Sequence, residues 1–88
     1  MEPDVRDLAK VFARIDTVRT MRKFFDEIFT EAERKDLALR WQLMKMLKNG
    51  VSQREIATRL GISLCKITRG AKILKDRTSV TNKIMHKG

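Results

Sequence analysis

Apolar residues recur along this chain at steps of three and four and never in strict alternation, a pattern that predicts helices and no strands. Val5, Leu8, Val11, Phe12 and Ile15 form one stripe, predicting a first helix over about 3–18, with Pro3 suited to its first turn. Met21, Phe24, Phe25 and Ile28 make the apolar face of a second, over about 20–29. Thr30 and Glu33 have capping-box spacing and open a long third helix that runs to about residue 48. Its expected core stripe is Leu37, Trp41, Met44 and Leu47, widened by Leu43, and Asn49-Gly50 closes it as a C-cap pair. The fold class is all-α, with five to six helices.

Residues 52–75 carry the most specific pattern. Ser52 and Glu55 read as another capping box, and Ile56, Ala57 and Leu60 follow at helical spacing before Gly61. Gly61 stands where the first of two short helices stops and the chain turns, a place that often demands a positive φ. Ser63 caps the next helix, whose stripe resumes through Ile62, Ile67 and Leu74. A small Ala57 lets the helices cross closely, and Ile67 plugs the angle between them. These spacings are those of a helix-turn-helix, whose commonest use is DNA binding, although an ordinary αα-hairpin shares the outline. After a break at 76–79, a short weak helix through Ile84 and Met85 ends the pattern.

Charge sharpens that reading. The 88 residues hold 20 Lys+Arg against 11 Asp+Glu, a net charge of +9. Between residues 54 and 77 lie Arg54, Arg59, Lys66, Arg69, Lys72, Lys75 and Arg77, opposed only by Glu55 and Asp76. A solvated helix face is the ordinary explanation of such a run. Its coincidence with the helix-turn-helix points instead to a polyanion, and nucleic acid is the usual one. No apolar run approaches the roughly 20 residues of a membrane span, and no signal-peptide core opens the chain. The lone Cys65 makes no internal disulfide, so a cytoplasmic setting is expected. Cys65 and His86 have no partners at metal-ligand spacing, and neither a phosphate-binding glycine loop nor a Ser/His/Asp set is present, so no enzyme is expected.

The amino-terminal helices show no nucleic-acid face, yet Phe12, Phe24, Phe25, Phe29, Trp41 and the methionines all favour burial. One small domain covers that much apolar surface poorly, so a homodimer is expected, with two reading heads on half-sites about 34 Å apart. The chain divides accordingly into a dimerisation core over 1–50, a DNA-reading head over 51–75 and a short terminal helix or tail over 76–88, all within one structural domain.

Four blocks then suggest a family. Thr30-Glu31-Ala32-Glu33-Arg34, Leu39-Arg40-Trp41, Ser52-Gln53-Arg54-Glu55-Ile56 and Ile67-Thr68-Arg69-Gly70 resemble the Trp repressor family over about residues 20–75. The resemblance implies an intertwined all-helical homodimer that represses transcription from palindromic operators, with L-tryptophan or a related small molecule as corepressor and no other cofactor. It places Arg40 and Arg69 as guanidinium planes on either side of the ligand ring, a task suited to flat, weakly hydrated cations. Arg69 would take the ligand carboxylate, Thr30 of the other subunit its polar head, and Gly70 would leave room for the ring. Each has a plainer role as well: Thr30 as an N-cap, Arg40 paired with Glu33 or Asp36, Gly70 easing helix packing.

On the DNA side the resemblance gives Ser63, Leu64, Cys65, Lys66 and Thr68 to the outward amino-terminal face of the reading helix. Lys66 replaces a small polar residue and Cys65 an alanine, so the operator is expected to differ from the family's. Arg54 reaches a guanine or the backbone, Gln53 a phosphate, and Lys72 lies too far along to read bases. Three positions depart from the pattern. Ile73 stands where tryptophan-responsive members have a serine, Glu27 replaces an apolar residue, and the turn at Asn49-Gly50 looks one residue short. A ligand-independent DNA-binding module and a basic RNA- or protein-binding adaptor remain alternatives.

Overall fold

A computed structural model describes residues 2–87. Six helices follow in order: α1 (Val5–Arg14), α2 (Val18–Ile28), α3 (Glu31–Lys48), α4 (Gln53–Leu60), α5 (Leu64–Lys75) and α6 (Val80–Lys87), with no strand among the described residues. Two compact units divide the chain, Met1–Lys35 and Asp36–Gly88. The division falls inside α3, whose later turns pack with the helix-turn-helix.

In the first unit, side-chain caps move the expected boundaries. The Asp4 carboxylate accepts from Arg6 N–H at 2.9 Å, so α1 starts after Asp4 and Pro3 lies outside it. Thr17 accepts from Thr20 N–H at 3.2 Å and starts α2 at Val18, where a stripe extending to residue 18 had predicted the end of the first helix. Phe12 meets Phe24 edge-on at 5.9 Å and Phe25 at 5.4 Å, and Phe25 meets Phe29 at 5.1 Å. The turn into α3 is held twice. Thr30 and Glu33 form a reciprocal box, with Glu33 N–H donating to Thr30 Oγ1 at 3.2 Å and Thr30 N–H to Glu33 Oε1 at 2.8 Å. Arg34 donates to the Phe29 carbonyl and stands 3.5 Å from the Asp26 carboxylate.

In the second unit, Leu43, Met46, Ile56 and Ile67 form the core, flanked by Leu47, Val51, Ala57, Leu60 and Ile62. Ile56 and Ile67 are 0% exposed; burying each contributes about 1.5–3 kcal/mol. The expected stripe of α3 is only partly inside: Met44 and Leu43 are buried, whereas Leu37 is 41% and Trp41 44% exposed. Met46, absent from that stripe, is buried instead, because α4 and α5 cover the side of α3 that carries Leu43 and Met46. At the end of α3, Gly50 (φ 82°) makes a Schellman turn, with Val51 N–H donating to Met46 O at 3.0 Å and Gly50 N–H to Leu47 O at 3.1 Å. Val51 and Met46, the two residues that such a turn brings together, both pack into the core.

The last helix is tied down more firmly than its weak pattern predicts. Asn82 Nδ2 donates to Leu74 O at 2.9 Å, capping the end of α5, and Lys48 Nζ donates to Met85 O. Met85 is buried. Between α5 and α6, the Asp76 carboxylate accepts from Thr78 Oγ1 at 2.7 Å and Thr78 N–H at 2.8 Å, a closed turn that fixes where α6 begins.

Candidate nucleic-acid interface and effector cavity

The turn between α4 and α5 has the geometry its glycine predicts. Gly61 adopts φ 64°, ψ 34°, and its N–H donates to Ala57 O at 2.9 Å. Ser52 Oγ accepts from Glu55 N–H at 3.2 Å, but the Glu55 carboxylate turns to Arg59 at 3.3 Å, so the capping box expected at Ser52 and Glu55 forms only its N-cap half. Ser63 Oγ accepts from Lys66 N–H at 3.4 Å and starts α5. With Ile67 buried in the angle, α5 is seated on α4 and α3 and its opposite flank faces outward.

That outward flank is an open groove of about 620 Å³ running the length of α5, with Leu64, Cys65, Thr68, Arg69 and Lys72 on its walls. Leu64 is 58% exposed, an apolar residue held out in solvent at the tip of the reading helix. Gln53 and Arg54 are exposed at the start of α4, as are Ser63, Cys65, Thr68 and Lys72 on α5. Lys66 stands apart from this row. Its ammonium lies 3.9 Å from the Asp36 carboxylate of α3, on the flank of α5 that faces α3.

Between α3 and α5 a second cavity, about 400 Å³, gathers residues distant in sequence: Arg40, Trp41, Lys66, Arg69, Gly70 and Ile73. The volume lies within the range of small-molecule sites. Arg40 Nε is 3.3 Å from the Asp36 carboxylate, one helical turn away. Gly70 is buried against α3, and a Cβ there would meet Leu47 Cδ1 at 3.0 Å and Met44 Sδ at 3.1 Å. Its missing side chain thus serves close packing of the helices at the cavity wall. Thr30 belongs to the other unit, where it caps α3.

The family model described as Trp repressor protein matches residues 4–88. The chain belongs to the Trp repressor family. A Trp operon repressor homolog of Xylella fastidiosa is 39% identical over 70 residues, 78% of this chain and 76% of that protein. One from Chlamydia trachomatis is 41% identical over 58 residues, 60% of this chain and 62% of its own length. A third, from Chlamydia caviae, is 34% identical over 70 residues, 78% and 69% of the two chains. No solved structure gives a significant match. Trp repressor proteins are transcription regulators and not an enzyme family, so this chain is a DNA-binding repressor in type. Among the described residues no helix is long and apolar enough to cross a membrane, and no cluster of metal-ligating side chains occurs.

Of the two same-helix partners expected for Arg40, the structure selects Asp36. The reach of Asp36 to Lys66 has no local signature, because Lys66 comes from another helix. Trp41 was assigned to the core and instead stands half-exposed at the cavity wall.

Proposed function

We propose that this Trp repressor family member is a cytoplasmic, homodimeric repressor that binds palindromic operators and responds to L-tryptophan or a related small molecule. In this reading Arg54, Leu64, Cys65 and Thr68 meet base edges, directly or through water, with Lys66 joining from its flank. Gln53, Ser63 and Lys72 hold the phosphate backbone. Arg40 and Arg69 enclose the effector ring, Gly70 borders it, and Thr30 is contributed by the second subunit. Effector and DNA would then share one helix. The observation that carries the reading is that Arg69 lines both the groove on the outward flank of α5 and the cavity behind it. Exposed Val5, Val18, Ile28, Leu37, Trp41 and Ile84 support the dimer, since so many large apolar residues at the surface of a short chain favour a covering subunit.

One observation favours a second reading. Arg40 is already paired with Asp36, which gives it a structural task without any ligand. A constitutive DNA-binding module would need nothing more.

Selection of bound duplexes from a random DNA pool, with and without L-tryptophan at fixed salt, separates these. A palindrome enriched only with tryptophan supports the effector-dependent dimer. The same palindrome in both arms favours the constitutive module, and no enriched site overturns sequence-specific binding. The salt must be held constant because phosphate contacts alone make affinity fall steeply with it.

A further inference from the structure

Leu64 opens α5 and is 58% exposed, in a unit that hides Ile56 and Ile67 completely. It lines the outward groove together with Thr68, which lies one helical turn on and shares its helix face. The polar groups beside this tip are already engaged. Ser63 Oγ accepts from Lys66 N–H, and the Lys66 ammonium is drawn aside to 3.9 Å from Asp36. Cys65 adds only a thiol, a weak donor. The reading helix therefore meets its partner with an apolar side chain foremost.

The rest of the groove fits a duplex. Arg69 and Lys72 line it further along, placed to neutralise phosphates. Its one carboxylate, Asp76, lies at the far end and accepts from the Thr78 hydroxyl at 2.7 Å. Among the donors and acceptors on major-groove base edges stands one apolar group, the thymine 5-methyl, and apolar side chains pair with it. Any other edge set against Leu64 loses water and gains no hydrogen bond in return.

Resting on the reading of this groove as the base-reading surface, we infer that Leu64 is a specificity-determining residue that recognises a 5-methylpyrimidine by its methyl group. Thymine supplies that group in ordinary DNA. A methylated cytosine supplies it at the same place on the base, so this position also separates methylated from unmethylated cytosine.

The test starts from duplexes that the full-length protein enriches from a random pool at fixed salt with L-tryptophan present. Each thymine in turn is replaced by deoxyuridine, which lacks only the methyl. One position in each half-site is expected to lose about fourfold in affinity, the worth of one buried methyl. At that position 5-methylcytosine opposite guanine is expected to bind about fourfold more tightly than cytosine. Both differences are expected to vanish in Leu64→Ala and to persist in Leu64→Ile, with sedimentation and random-duplex affinity unchanged in either variant. Indifference to every deoxyuridine overturns the inference while leaving sequence-specific binding standing. A methyl effect that survives Leu64→Ala overturns it by giving the methyl to another residue. Dissociation caused by Leu64→Ala also overturns it, since a second copy and not DNA would then cover the residue. No enriched site at all overturns the base-reading surface itself.

Discussion

Replacing Gly70 with alanine sets two effects against each other at the point where the reading helix meets α3. Alanine removes the entropic cost of a glycine inside a helix, a gain of about 1 kcal/mol. Against it, the new Cβ would stand 3.0 Å from Leu47 Cδ1, 3.1 Å from Met44 Sδ and 3.5 Å from Leu43 Cδ2. Carbon contacts rest at about 3.5–4.0 Å, so the two closest atoms must retreat by roughly half an ångström. These are side-chain tips, and Leu43 and Met44 are buried, which limits how far theirs can swing away. Overpacking of this kind costs about 1–3 kcal/mol, so a net loss of about 1 kcal/mol is expected. Urea unfolding followed by helical ellipticity measures it, at fixed protomer concentration because a dimer's stability depends on it. Leu47→Val withdraws Cδ1, and in that background the same substitution should cost about 0.5–1 kcal/mol less. A Gly70→Ala protein more stable than its parent would refute the reasoning, since the propensity gain would then stand unopposed and Gly70 would not be a packing constraint.

Gly61→Ala should destabilise by about 1–2 kcal/mol and Gly61→Asn by less, since the site is open but its φ of 64° disfavours a Cβ; equal urea midpoints for the two would show that the turn relaxes. Arg54→Ala should weaken operator binding by about 1–3 kcal/mol while sparing random DNA, and Lys72→Ala should weaken both alike and flatten the salt dependence by about one counterion. Equal losses on both duplexes for Arg54→Ala would remove it from base reading. The Thr78 hydroxyl and backbone N–H hold the Asp76 carboxyl below the ordinary aspartate pKa. A depressed folded pKa means that this turn's contribution is present above the unfolded aspartate value and lost as pH falls through the folded one. Thr78→Val should move the Asp76 titration midpoint upward in carboxyl-detected NMR, and an unmoved midpoint would acquit the hydroxyl.

How much the sequence disclosed depended on whether the deciding force was local. Ser52, Gly61 and Ser63 each act within three or four residues of themselves, so the helix-turn-helix was readable to its caps. Thr17 acts just as locally, but it sat inside an apolar stripe and its capping role was missed, which displaced the α1–α2 boundary. Periodicity marked a stripe on α3 without saying which of its edges a neighbour would cover. Hence Met46 went in while Leu37 and Trp41 stayed half out. The shared cavity of Arg40, Arg69 and Gly70 came from family resemblance, since no helical period links α3 to α5. The bridge through Asp36 to Lys66 had neither source.

Trp41 borders two spaces at once, the α3–α5 cavity and another of about 390 Å³ between α3 and α6, beside Lys48, Ile84 and Met85. It is the one tryptophan of a chain that has no tyrosine. Ultraviolet emission from this protein therefore comes almost wholly from a single half-hydrated indole. A guest entering on one side dries that ring, and loosening of α6 on the other wets it, so the two events shift its colour in opposite directions. The molecule carries its own optical probe, and for any guest that lacks an indole no dye has to be attached.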